Sequence, residues 1–470
     1  MSLRLSWKGS IRLYSLQRVI SSNAACNKGS GCGHEDRSLV SFFFGVTSCG
    51  ILNNVIGGRD LLRTHRERER LSRRVKELAR EVGFDLVGIS PVVPPPHGDS
   101  FAEWLRSGFA GEMDYLERGA NKRLHPGNFL PWANSIVSVA VNYYVPLHRE
   151  DVPEDGLRGW ISRYAWGDDY HAIMEARLAE LLAKIRAEGG ESVQGRAYVD
   201  TGPVLEREFS SLAGIGWIGK NTTIIHPRRG SWFFLGELFL SLELEYDRAI
   251  RDRCGGCDLC IRACPTEALV GPYLLDSRRC ISYLTIELKG SIPRNMRPLV
   301  GDHIFGCDIC QDVCPYNKKA RPSSEAGFWP REGQHGPDLI PLLSLTEEQF
   351  RHRFKGSPIR RAKWKGLLRN VAVALGNLQQ AEAVPALVRV LLENPEPVVR
   401  GHAAWALGQI GGTAARQGLE KTLDHERDAE VQEEIRLALA AISHQQSAIS
   451  RQQDGNLQLF ADSGQLAADS

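Results

Sequence analysis

Eight cysteines crowd one short stretch of this chain: Cys254, Cys257, Cys260, Cys264, Cys280, Cys307, Cys310 and Cys314. The first four read Cys254-x2-Cys257-x2-Cys260-x3-Cys264-Pro265, the spacing with which bacterial ferredoxins hold cubane [4Fe–4S] clusters. A cubane presents four iron corners, and each takes one soft thiolate. Two-residue gaps let a short loop wrap three corners, while the cysteine before Pro points away and serves a neighbouring cluster. The second half, Cys307-x2-Cys310-x3-Cys314-Pro315, repeats the end of that run, but Ile304 stands where its first cysteine would be. Cys280 can supply the missing thiolate. The expected ligand sets are Cys254, Cys257, Cys260 and Cys314 for one cluster, and Cys264, Cys280, Cys307 and Cys310 for the other. Four-cysteine zinc sites favour paired C-x2-C knuckles instead. Two adjacent clusters make an electron wire, so a neighbouring domain should house an acceptor.

Composition frames that chemistry. The chain has 470 residues, 42% hydrophobic and 24% charged, with a formal net charge of +2. That is a soluble, multidomain profile without the basic excess of a dedicated nucleic-acid binder, so any RNA contact must be local. Clustered cysteines in a large chain indicate cluster ligation and a reducing, cytoplasmic setting, not a secreted disulfide scaffold. Cys26, Cys32 and Cys49 have no ligand-like spacing with the rest. No apolar run reaches the roughly 18–20 residues of a membrane span. Met1–Gly33 carries Arg and Lys but no acid, a composition that mimics a transit peptide. The plainer expectation for 1–70 is a poorly ordered extension or an upstream start.

The elements that must position the cysteines follow from periodicity. Leu71, Val75, Leu78 and Ala79 share one helical face, stopped at Gly83. Phe84–Ser90, Ile136–Tyr143 and Trp232–Tyr246 predict strands, and His171–Arg186 predicts an amphipathic helix. Strands mixed with helices predict an α/β domain over 71–248, followed by a ferredoxin-like domain over 249–325. Ala374-Leu375-Gly376 recurs as Ala406-Leu407-Gly408 and again as Ala438-Leu439-Ala440, at a period of thirty-two residues. That period signals a stacked helical solenoid over 326–445, with a disordered tail over 446–470. The fold class is thus α+β multidomain. Gly214, Gly216 and Gly219 spell GxGxxG, but no strand leads into them, so a dinucleotide fold is set aside.

Other segments carry a resemblance: Gly111-Glu112-Met113-Asp114-Tyr115-Leu116, Ser162-Arg163-Tyr164-Ala165 through Asp169-Tyr170-His171, Val199-Asp200-Thr201-Gly202, Gly214 through Lys220-Asn221, and Cys280-Ile281-Ser282. In content and order they resemble the epoxyqueuosine reductase family, over about 71–445 including HEAT-like C-terminal repeats. The resemblance implies that the α/β domain, nitroreductase-like, holds cobalamin and that the two [4Fe–4S] clusters reduce it. It implies a tRNA substrate with a GUN-type anticodon carrying epoxyqueuosine at the wobble position, reduced to queuosine with loss of the epoxide oxygen as water. An external electron donor of unknown identity and a cytoplasmic monomer complete the expectation. Asp200 matches the family's acid; to donate at neutral pH its carboxyl must be protonated, so burial is expected to raise its pKa. On its own, an Asp before Thr-Gly is commonly a turn residue.

Arg123, Ser162, Arg163, Arg207, Lys220, Asn221 and Ser282 match positions facing cofactor or substrate, and their donors suit phosphate and amide groups. Each alone reads more readily as a solvated surface residue. Tyr170 and His171 fall near the corrin, but the resemblance implies no His ligand to cobalt, so His171 is read as structural. Lys355, Arg360, Arg361, Lys363, Lys365, Arg369 and Arg400 make either a solvated helix face or a phosphate-tracking surface for RNA. Two other classes remain: a corrinoid reductive dehalogenase-like reductase, and a non-enzymatic ferredoxin-type electron-transfer scaffold.

Overall fold

The computed structural model of the chain describes residues 64–153 and 156–445. The N-terminal extension with Cys26, Cys32 and Cys49, and the tail from 446, lie outside the described residues.

Helix α1 (His65–Glu81) opens on a capping box, with Thr64 and Glu67 satisfying each other's backbone N–H groups. It buries Val75, Leu78 and Ala79, the apolar stripe read from the sequence. The sheet comprises β1 (Leu86–Pro91), β2 (Ser135–Asn142), β3 (Gly195–Tyr198) and β4 (Phe233–Leu240), in spatial order β1-β2-β4-β3. Every pairing is antiparallel, so this mixed layer is built without parallel crossovers. All eight residues of β2 are buried, because both sheet faces are covered. On one face, α1 and α2 (Tyr170–Gly189) pack Leu78, Met174, Leu178 and Leu181 against Val137, Val139 and Leu238. On the other, α3 (Glu206–Leu212) sets Phe209 against Ile136 and Phe239. There, a Cβ on Gly88 would lie 1.9 Å from the Ala213 carbonyl oxygen, so only glycine lets the end of α3 seat on β1.

The cysteine region is made of short pieces: α4 (Leu259–Ala263), the hairpin β5 (Leu269–Gly271) and β6 (Leu274–Leu275), α5 (Ile281–Ile286), β7 (His303–Phe305) and α6 (Ile309–Asp312). Strand β7 runs parallel to Trp160–Ile161, stitching the cysteine region to the sheet domain. The solenoid follows as α7 (Lys363–Leu378), α8 (Val384–Glu393), α9 (Pro397–Ile410) and α10 (Gly412–Leu423), then a helix over 429–445.

The thirty-two-residue repeat has a packing cause. A Cβ on Gly376 would meet Trp405 and Ala406, and one on Gly408 would meet Ala438 at 2.7 Å. Each repeat's glycine therefore admits the next repeat's helix at close range. One apolar core runs from Trp160 and Trp166 through Leu284 and Phe305 to Leu407 and Ile442, so solenoid and cysteine region share their packing.

Candidate redox and acid–base site

The eight cysteines are all free thiols, and their neighbours sort them into two groups. Beyond burial, Cys314 feels the charges of Cys254 and Cys257, and Cys260 those of Cys254 and Cys314. Cys280 feels Cys264, and Cys307 feels Cys310 and Cys280. That grouping runs parallel to the sets expected from spacing. Cys310 also senses Cys260, so the sets adjoin. Backbone amides aim at the sulfurs: Ala268 N–H donates to Cys264 Sγ at 3.3 Å, and those of Ser282 and Tyr283 approach Cys280. The Trp217 indole N–H lies 3.4 Å from Cys254 Sγ. Amide and indole donors around sulfur suit the anionic thiolates of iron–sulfur clusters. Cys257 is the one exposed member, whereas burial pushes the Cys307 and Cys310 thiols up. Through Cys257 the Cys254 set reaches solvent, although its Cys314 is the one buried thiol of the eight.

Several residues expected to face cofactor or substrate instead brace these loops. Lys220 Nζ donates to the carbonyls of Gly255 and Cys257 at 2.6 and 2.8 Å. Asn221, buried, reaches the Cys310 carbonyl. Ser282 sits on α5 with its hydroxyl against Cys280. Ser162 Oγ donates to Asp308 at 2.5 Å, and the Arg163 backbone N–H donates to the same carboxylate at 2.7 Å. The Arg163 guanidinium is 3% exposed. It bonds Asp312 and the carbonyls of Val145 and Leu147, and lies 4.8 Å above the Trp232 ring. The expectation that Ser162 and Arg163 present free donors to a ligand is therefore corrected: both are consumed inside the protein, next to Cys307 and Cys310. A buried guanidinium without such partners would be costly, which is why the fold surrounds it.

Asp200 lies in the turn between β3 and α3 at φ +52°, a strained conformation for a non-glycine residue. Its side chain is 63% exposed, yet it feels His171, Arg361 and Tyr170, residues far apart in sequence. An accessible group with so many neighbours lies in a hollow. Tyr170 stacks on Phe234 with ring centroids 4.1 Å apart, and Tyr164 meets Tyr170 edge-on. Arg207, bonded to Thr222, sits beside Asp200 and Glu206. Arg123, 5% exposed, ties the Gly202 carbonyl to that of Tyr115. Of the expected ligand-facing residues, Asp200, Arg123 and Arg207 converge on this hollow. Aromatic walls with polar groups at the rim suit a broad, largely apolar cofactor ring.

The acid–base state differs from the expectation for Asp200. The surrounding protein, by partly desolvating it, would alone raise its carboxyl, but the His171 imidazole, then Arg361 and Tyr170, outweigh this and hold it below the usual range. His171 Nδ1 is 2.7 Å from Asp169 Oδ1, and its Nε2 is 3.5 Å from Asp200 Oδ2. At that length the second contact is a charge pairing, and Nε2 has no hydrogen-bond partner among the described residues. Burial lowers the imidazole, yet Asp169 and Asp200 together lift it to about 9. The proton therefore rests on His171 and not on Asp200. His171, read as structural, is part of the site; Asp169-Tyr170-His171 followed by Asp200 was the available signal, but only the fold brings the two ends together.

The solenoid cations also divide. Arg369 is 1% exposed and bonds the carbonyls of Leu284, Leu288 and Gly290, so it cannot track phosphate. Lys365 pairs with Glu396, Arg400 with Glu426, and Arg361 with Glu287. Lys355, Arg360 and Lys363 remain exposed, next to Arg361 and thus near the Asp200 hollow.

Comparisons with known proteins agree with this arrangement. A family described as "4Fe-4S double cluster binding domain" matches residues 253–317. One described as "Epoxyqueuosine reductase QueG, DUF1730" matches 123–201, and HEAT repeats match 364–440. The epoxyqueuosine reductase of Pseudomonas aeruginosa is 44% identical over 346 residues, covering 73% of this chain and 96% of that protein. A crystal structure of epoxyqueuosine reductase with an epoxyqueuosine-modified tRNA-Tyr stem loop aligns at TM-score 0.74 and 33% identity, covering 80% of this chain and 99% of the other. Another, from Bacillus subtilis with its aspartate catalytic loop swung out of the active site, aligns at TM-score 0.74 and 33% identity, with 79% and 99% covered.

Proposed function

The chain belongs to the epoxyqueuosine reductase family, and from that premise we propose how its residues carry out the reaction. It is an oxidoreductase of queuosine biosynthesis that reduces epoxyqueuosine with two [4Fe–4S] clusters and cobalamin. The dehalogenase-like and electron-scaffold alternatives are not favoured, since the similar curated proteins are epoxyqueuosine reductases. The observation that carries our reading is the partly buried Tyr164, which feels both the Asp200 carboxylate and Asp308, the neighbour of Cys307, and so links the acid–base site to the cysteine region.

Cys254, Cys257, Cys260 and Cys314 would hold the outer cluster, and Cys264, Cys280, Cys307 and Cys310 the inner one. Cobalamin would lie in the hollow against Tyr164 and Tyr170, with Arg207 at its rim. When bound, these groups supply the two electrons of the reduction. Removing the epoxide oxygen as water also takes two protons, and here the chain's own groups act. His171 holds a proton at Nε2, facing Asp200 Oδ2. Asp200, at the turn, relays that proton to the oxygen released from carbon; His171, reprotonated from solvent, then supplies the second by the same route. Asp169 keeps the imidazole oriented, as a carboxylate does for a catalytic histidine. Arg123 anchors Gly202, so the Asp200 turn is held from its far side.

The substrate would be a tRNA with a GUN-type anticodon, its backbone met by Lys355, Arg360 and Lys363. Electrons would enter from an external donor at the outer cluster, where Cys257 is exposed. Among the described residues no helix is long and apolar enough to cross a membrane, and we place the enzyme, as a monomer, in the cytoplasm. The test is anaerobic turnover of an epoxyqueuosine-bearing stem loop by reconstituted protein. Queuosine is the expected product; its absence from protein carrying full iron, sulfide and cobalamin would sink the reading.

A further inference from the structure

Two carboxyls that the mechanism above leaves unused lie directly behind Asp200. Glu206 opens α3, and its Oε1 accepts the backbone N–H of Asp200 at 2.5 Å. Glu237 lies on β4, opposite Ser138 on β2 and Tyr198 on β3. It is 0% exposed, an uncommon place for an acid in a sheet. Ser210 Oγ approaches its Oε1 at 3.3 Å, while Oε2 has no donor among the described residues. The other group in reach is the Glu206 carboxyl itself. Two ionised carboxylates cannot bond one another, and a buried unpaired carboxylate oxygen is costly. One proton between them removes both problems, as in other carboxyl pairs that share a site. Burial pushes both groups up; for Glu206 the Asp200 charge adds to this, and Arg207 only partly offsets it.

We propose that Glu206, backed by the buried Glu237 on the central sheet, is a positioning residue that clamps the strained Asp200 turn from the sheet side. The turn needs such a clamp. Asp200 has positive φ, and the Thr201 N–H folds back onto the Val199 carbonyl at 2.5 Å. A non-glycine residue persists there only if its surroundings over-determine it. Arg123 holds Gly202, one side of the turn; Glu206 holds the amide of Asp200 itself. Glu237, fixed by the ladder of the central sheet, gives that clamp a rigid base. The clamp uses the acceptor oxygen of Glu206, not its negative charge.

This proposal rests on Asp200 being the acid, but its first readout does not. Hydrogen–deuterium exchange on the full chain, with and without clusters and cobalamin, reports the Asp200 amide directly. Glu206→Ala should speed exchange of the peptide spanning Val199–Gly202 by about tenfold, as loss of one hydrogen bond does. Turnover of the stem loop should show kcat reduced by about 10²-fold, the cost of misplacing a reacting group by an ångström. KM for the stem loop should stay within about twofold, because ground-state binding is untouched. Glu206→Gln keeps the acceptor oxygen and should restore slow exchange, with kcat within about threefold of the parent. Glu237→Gln still donates to Glu206 and should behave alike, which covers the case in which Glu206→Ala loses its fold. Unchanged exchange in Glu206→Ala would overturn the clamp. So would a Glu206→Gln enzyme with slow exchange but kcat as low as Glu206→Ala, since charge and not acceptance would then matter.

Discussion

The cysteine region and the Asp200 hollow solve opposite problems. All eight thiolates lie between 254 and 314, and short loops deliver them, braced from outside by Trp217, Lys220 and Asn221. The hollow draws Arg123, Tyr164 through His171, Asp200 through Arg207, Phe234 and Arg361 from separate stretches. The sheet, α2 and the start of α7 must all be in place before it exists. A ligand set encoded by local spacing tolerates changes elsewhere. A site assembled by tertiary contacts is sensitive to its braces, and here several braces (Lys220, Asn221, Ser162, Arg163) serve the cluster loops as well.

The largest effect that would break this contrast is loss of a local ligand. Cys310→Ser should remove about half of the iron and sulfide and abolish turnover, with the far set retained; elemental analysis and the visible spectrum check this. Retention of both clusters would show that the spacing does not define the sets. Next, Asp200→Asn should lower kcat about 10²–10⁴-fold, the range for a lost general acid, while iron content and cobalamin uptake stay at parent levels. A Asp200→Asn enzyme that turns over normally would remove Asp200 from the chemistry.

His171→Gln sharpens the comparison further. Since the imidazole is raised to about 9, it is charged below that pH and neutral above it. Turnover should therefore fall as pH rises through about 9, and the variant should lose that limb together with about tenfold in rate. The linked stability has the same sign. It is fully present below the ordinary histidine value of 6.5 and is lost as pH rises through about 9. The smallest effect concerns RNA. Arg360→Glu with Lys363→Glu should weaken stem-loop binding and flatten its salt dependence by about one to two logarithmic units of slope, leaving cluster reduction by dithionite unchanged. Titration at several salt concentrations measures it.

Much of the framework was legible in the residues. The α1 stripe, the thirty-two-residue repeat and the strands expected over 84–90 and 136–143 follow from period and composition, whereas the strand expected over 232–246 ends at Leu240. The antiparallel sheet order was not, because β2 and β4 pair across ninety residues that no local pattern connects. Basic residues were the least legible. Arg163 and Arg369 look like free cations in the sequence, yet both are buried among carbonyls and carboxylates. Residue type reports that a guanidinium can bind anions but not whether the protein has already used it.

What the sequence determined by itself is the cluster chemistry and the repeat, since the close-set runs Cys254–Cys264 and Cys307–Cys314 and a fixed helix-pair period are visible without tertiary structure. Only the tertiary structure decided the protonation of the acid site. It sets His171 against Asp200, and Glu237 beneath Glu206, from positions far apart in the chain. The proton's place depends on charge, distance and solvent access, and these exist only once the sheet and its helices have closed around the turn.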